Sequence, residues 1–190
     1  MNKTTRFTLT ALLVALIFLL GLTPLGLIPL GFIYVTILAL PVIIGTLVLG
    51  LNTGLLLGLA FGGISTFKLL TAPSSLAGNL LGASPAMAIA MCIVPRLLVP
   101  LASHLVYHRL KAGKAERFAA AAAGAAGSLT NTVFYLGLML LFYQLAGLDS
   151  AAVIALIIGT GVIAGSMEAL VSGLLVPPIE FALRKTIQKT

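Results

Sequence analysis

Six long apolar stretches fill almost the whole of this 190-residue chain. A helix that crosses a bilayer needs about 20 mainly apolar residues at ~1.5 Å rise each, and the stretches match that requirement. With 60% hydrophobic and 8% charged residues and a mean hydropathy of +1.19, the chain has too little polar surface to cover a soluble globule. The predicted fold class is therefore an all-α membrane protein. It is a compact bundle of six transmembrane helices forming one domain over residues 1–190, with outer loops that cap a pocket.

The positions of the charges orient that bundle. Lys3 and Arg6 precede the first run, Arg109, Lys111, Lys114 and Arg117 form one linker, and Arg184, Lys185 and Lys189 close the chain. An even number of spans puts these three segments on one face, which the positive-inside bias makes cytoplasmic, together with both termini. The net charge of +7 would suggest nucleic acid as a partner for a soluble protein, but this one-sided placement points to a lipid bilayer instead. Cys92 is the single cysteine, so no intrachain disulfide forms, and within its apolar run it reads as a small buried hydrophobe.

The spans are expected at about Phe7–Leu22, Ile33–Gly50, Gly54–Leu70, Pro85–Tyr107, Phe118–Tyr143 and Ala151–Ala182. The first follows basic residues, as a signal peptide would, but runs into Gly21-Leu22-Thr23-Pro24 without a small-x-small cleavage pattern and is read as retained. Leu25–Phe32, flanked by Pro24 and containing Pro29, reads as a re-entrant or capping segment on the outer face. Pro41 predicts a kink in the second span, and Gly50–Gly54 a tight inner turn. Gly54, Gly58 and Gly62 lie on one helix face, where small residues let a neighbouring helix come close. Thr71–Ser84 is the longest external connection and is expected to fold over a site as a lid.

Several chemistries lack their motifs. There is no Gly-rich loop ending in Lys-Ser or Lys-Thr for nucleotides, no Gly-x-Ser-x-Gly nucleophile and no metalloprotease His-Glu pattern. His104 and His108 lie one turn apart near the inner end of the fourth span without carboxylate or thiolate help, and read as interfacial rather than metal-binding. Neither catalysis nor a metal or cofactor is expected.

Polar residues inside apolar helices carry the functional signal. A charge at the bilayer centre costs roughly 2.5–3.5 kcal/mol on insertion scales, so it faces a partner or a cavity. Arg96 and Glu168 fall midway along the fourth and sixth spans, at similar depth, and either pair with each other or meet a ligand. Asn131 interrupts the fifth span within Ser128-Leu129-Thr130-Asn131-Thr132, and Tyr135 shares its face. Thr130 and Thr132 are weaker candidates, because threonines in such helices bond their own backbone. Lys68, near the outer end of the third span, either snorkels to headgroups or attracts an anion. Tyr34 and Asn79 occupy the two outer regions that would close a pocket.

Taken in order, Thr23-Pro24-Leu25-Gly26, Ile28-Pro29-Leu30-Gly31-Phe32, Pro41-Val42-Ile43-Ile44-Gly45, Gly58-Leu59-Ala60-Phe61-Gly62, Ser128-Leu129-Thr130-Asn131-Thr132-Val133 and Met167-Glu168-Ala169 resemble the substrate-binding S components of energy-coupling factor (ECF) vitamin transporters. The resemblance covers nearly the whole chain. It implies a bacterial cell-membrane protein without enzymatic activity that binds a vitamin near the outer face. It also implies partners, namely a transmembrane coupling protein and two cytoplasmic ATPases, and release inside after toppling. The family's Ala-x-x-x-Ala contact with the coupling protein is matched by Ala11 and Ala15. The Thr-Asn-Thr-Val run is similar to the pantothenate branch, although Tyr34 and Ala39 stand where relatives carry Asn and His. Cobalamin, riboflavin or folate is the alternative ligand, and a self-sufficient secondary carrier the alternative function.

Overall fold

The computed structural model describes residues 2–29, 34–113 and 118–187. Lys114, Arg117 and Lys189 of the basic segments, and the end of the expected capping segment, lie outside them. The helices are α1 (Lys3–Leu22), α2 (Ala39–Leu49), α3 (Leu51–Thr71), α4 (Ser75–Ala83), α5 (Pro85–Lys111), α6 (Ala119–Leu145), α7 (Ala151–Leu156) and α8 (Val162–Ile187). A π-helical turn, Ile157–Gly161, joins α7 to α8, so that Ala151–Ile187 is one rod of 37 residues. Counting that rod once, five helices are long and apolar enough to cross a membrane.

The expected second span, Ile33–Gly50, takes a different form. Its first part belongs to a small antiparallel hairpin, β1 (Leu27–Pro29) with β2 (Tyr34–Thr36), in the register Leu27 to Thr36 and Pro29 to Tyr34. Only 11 residues form α2, about 16 Å of helix against a hydrocarbon layer of ~30 Å. Such a short helix is sustainable because protein surrounds it. Every residue of α2 but Val48 is buried, and it packs against α1, α3, α5, α6 and α8. Pro41 makes no kink. It sits in the first turn of α2, where a missing N–H breaks no helical hydrogen bond.

The expected external loop Thr71–Ser84 is likewise mostly helical. Ser74 caps α4 by accepting from the Ala77 N–H (3.4 Å), and Ser84 caps α5 by accepting from the Met87 N–H (3.5 Å) with Pro85 at the first helical position. Ala77 and Leu80 turn inward, into a cluster with Met91, Met139 and Tyr143. The Tyr143 hydroxyl donates to the Leu76 carbonyl at 2.5 Å. At the other end of the molecule Glu180, almost fully buried, accepts from the Tyr107 hydroxyl at 2.8 Å and is ion-paired with Arg184. Arg184 also reaches the Leu47 carbonyl at 2.5 Å. That cluster ties α2, α5 and α8 together.

Outward-facing apolar side chains such as Phe7, Leu12, Phe67, Val133, Leu174 and Phe181 cover the flanks, as lipid requires. Inside, glycines set the helix spacing. At Gly58 an added Cβ would stand 2.6 Å from the Arg96 carbonyl oxygen, and at Gly62 3.3 Å from the Ile93 Cα, so α3 rests directly on the α5 backbone. Gly58→Ala is expected to destabilise by about 1–3 kcal/mol through overpacking. Gly63→Ala, with nothing within 4 Å, leaves the thermal midpoint in detergent unchanged or slightly raised. Equal midpoints for the two variants would refute the close contact.

Candidate functional site

A cavity of about 340 Å³ opens between α3, α5, α6, β2 and the α7–α8 rod, within the ~300–1,000 Å³ range of small-molecule sites. Each wall follows from helical spacing. On α3, Phe61, Ser65 and Lys68 line it at intervals of four and three residues, one face of a helix. On α6, Asn131 and Tyr135 form one pair four apart, with Thr132 and Leu136 beside them. The rod contributes Thr160, Gly161, Ala164 and Glu168. The π turn lies at this wall, as such irregularities often do at functional sites.

Arg96 is 9% exposed, and a proline explains how its charge is held. Pro95 lacks an N–H, which leaves the Met91 carbonyl without its helical donor. The Arg96 guanidinium donates to that carbonyl instead, at 3.3 Å. It also lies 4.6 Å from the centre of the Tyr135 ring and 5.1 Å from that of Phe61, two faces whose quadrupoles favour a cation. Its Nε is buried with no partner among the described residues. Of the two readings left open for Arg96 and Glu168, mutual pairing is not the one adopted. The ion pair found among the described residues is Arg184–Glu180.

Glu168 has other partners. Its Oε1 accepts from the Thr36 backbone N–H at 2.9 Å, and Oε2 accepts from the Thr132 hydroxyl at 2.9 Å. One carboxylate therefore joins the β1–β2 hairpin, α6 and α8. The Asn131 Oδ1 is buried without a partner. The cavity thus holds an unused donor on Arg96 and an unused acceptor on Asn131, both costly when left unmade.

A second cavity of about 190 Å³ shares Ser65, Lys68, Arg96 and Tyr135 with the first and continues beneath Pro73, Ser74 and Ala77. Lys68, exposed at the end of α3, lines both. Five sequence-derived candidates, Lys68, Arg96, Asn131, Tyr135 and Glu168, thus meet at one cavity. Asn79 does not line either one. With Ala77 and Leu80 turned inward, the helical geometry of α4 puts Asn79 on its exposed side. Tyr34 is paired with Pro29 through the hairpin, and its side chain lies outside the described residues.

Sequence reasoning passed over Thr36, Phe61 and Ser65 and ranked Thr132 low. The spacing of Phe61 and Ser65 from Lys68 was the available signal for two of them. Thr130 does bond its own helix, to the Ala126 carbonyl at 2.7 Å, whereas Thr132, 3.5 Å from the Ser128 carbonyl, makes its shorter bond to Glu168 at 2.9 Å. Ala11 and Ala15 are exposed on α1, whose buried stripe is Leu13, Ile17 and Leu20. His104 and His108 meet at a tilt, with ring centres 4.2 Å apart, and line neither cavity.

Compared with known proteins, residues 5–180 match the family model of the substrate-specific component of ECF transporters. The chain belongs to that family. With its long apolar helices it fits that description as a multi-pass membrane protein, a substrate-specific transporter component rather than an enzyme. It is also similar to the pantothenic acid transporter PanT of Lactococcus lactis, with 36% identity over 118 residues. That match spans 57% of this ECF component and 57% of the relative, a little over half of each.

Two outcomes follow from the geometry. In Glu168→Ala the Thr36 amide loses a hydrogen bond to a charged group, worth about 1.5–3 kcal/mol. Its hydrogen exchange should accelerate roughly ten- to a hundredfold, while that of Ile37, bonded to the Gly26 carbonyl, stays slow. Unchanged exchange at Thr36 would refute the bond. Asn131→Ala leaves no partner of its Oδ1 behind, so ligand-free thermal stability should stay within about 0.5 kcal/mol of the parent. A large drop would mean that the side chain is structural.

Proposed function

We propose that this protein is the high-affinity vitamin-binding subunit of an ATP-driven ECF importer and that its vitamin is pantothenate. The observation that carries the reading is the cavity itself. Among apolar helices it gathers an arginine, a lysine, an asparagine, a tyrosine and a glutamate, two of them with unmade hydrogen bonds. A small hydroxylated amide acid complements that set, and the likeness to PanT supports the choice. Arg96, Lys68, Asn131, Tyr135 and Glu168 contact the ligand. The hairpin, with Tyr34, and the α4 segment, with Asn79, close over it from the outer side.

In this reading α2 completes a six-helix topology, both termini are cytoplasmic, and the protein resides in the bacterial cell membrane. Ala11 and Ala15 on the exposed side of α1 meet the transmembrane coupling protein, since small residues one turn apart permit close helix approach. Two cytoplasmic ATPases supply the energy, and the ligand is released inside after the complex forms.

Titration calorimetry of the purified chain in detergent, without ATP, tests the proposal. Saturable one-to-one binding of pantothenate is expected, with at least a roughly tenfold loss of affinity in Arg96→Ala or Asn131→Ala. Replacing Ala11 and Ala15 with tryptophan should keep binding and abolish uptake by cells that also express the coupling protein and ATPases. Absence of pantothenate binding would remove the assignment. Accumulation by vesicles holding this chain alone would favour a self-sufficient carrier.

A further inference from the structure

The two adjoining cavities differ in what they offer a ligand. Their shared wall contains both Lys68 and Arg96. The smaller cavity adds Ser74 and apolar groups, with no carboxylate among its lining residues. Glu168, Thr132 and Asn131 line only the larger one. The cationic groups thus collect at one end and the hydrogen-bond acceptors at the other.

Two of the buried side-chain atoms left without a partner sharpen this contrast. Arg96 Nε is a donor at the cationic end, and Asn131 Oδ1 is an acceptor at the other. The Glu168 oxygens each accept one bond already, and each keeps a lone pair that can take another O–H or N–H. An anionic group placed there would face a like charge in a low-dielectric setting. The same group at Arg96 and Lys68 would form charge-assisted hydrogen bonds.

We infer that the site binds its ligand in one orientation. The carboxylate sits at the Arg96–Lys68 wall and extends toward the small chamber under the Pro73–Ser74 turn, and the hydroxyl end lies against Asn131, Thr132 and Glu168. The inference rests on the proposed role as a pantothenate-type receptor and adds to it the direction in which the molecule lies. Specificity is then divided. Charge is read at one end and hydroxyl pattern at the other.

Crossing ligand changes with protein changes tests this in the full chain in detergent. The ligands are pantothenate, its neutral alcohol analogue pantothenol, and an analogue lacking the secondary hydroxyl. The proteins are the parent, Lys68→Gln at an exposed helix end, and Asn131→Ala. The parent should bind pantothenol at least roughly tenfold more weakly than pantothenate. In Lys68→Gln that ratio should shrink at least about threefold while the cost of losing the hydroxyl is unchanged, and in Asn131→Ala the pattern should reverse. Couplings that are exchanged, or equal preference for acid and alcohol, would overturn the orientation while leaving the receptor role standing. Failure of the parent to bind any of the three would overturn both.

Discussion

Burial of the Arg96 guanidinium among apolar helices is the constraint around which the rest of the structure is organised. A cation there needs compensation for lost hydration, and the chain assembles it from unusual parts. Pro95 releases a carbonyl for it, and Phe61 and Tyr135 provide aromatic faces on either neighbouring helix. Pro100 in the same helix denies the Arg96 carbonyl its helical donor, and this is the oxygen against which Gly58 rests. The arrangement holds the charge without neutralising it with a carboxylate. An arginine satisfied by Glu168 would have little left to give a solute.

Glu168 has a complementary part. Its oxygens accept from Thr36 and Thr132, so it fastens the β1–β2 hairpin to the helical wall and makes no direct ion pair with Arg96 among the described residues. Acidic and basic groups can then coexist in one cavity as separate recognition elements. The short helix α2 makes this possible from the other side. It fills the centre of the bundle with aliphatic side chains such as Val42 and Ile43 and so supports the packed helices around the cavity.

What could be read from the sequence follows from what is energetically conspicuous in lipid. Arg96, Asn131 and Glu168 stood out because each is costly in an apolar helix, and all three line the cavity. Thr36, Ser65 and Thr132 cost little, since a hydroxyl can bond its own backbone, so their roles were hidden until the helices were placed. Hydropathy marks five of the long helices and the helical part of the second span, Ala39–Leu49, but not the strand Tyr34–Thr36 before it, because an apolar run records burial and not whether the backbone is strand or helix. The composition of 71–84 suggested a loop. Two of its serines, Ser74 and Ser84, are instead the caps that start α4 and α5.

The Tyr107–Glu180–Arg184–Leu47 cluster gives the two ends of the molecule unequal fastening. Below, three helices are stitched by a partly buried ion pair and hydrogen bonds from side chains. Above, the hairpin hangs on the α6–α8 wall by the Thr36 amide. The strut at that end, Glu168, is itself part of the cavity lining, so whatever loosens the hairpin also reshapes the wall a solute would meet.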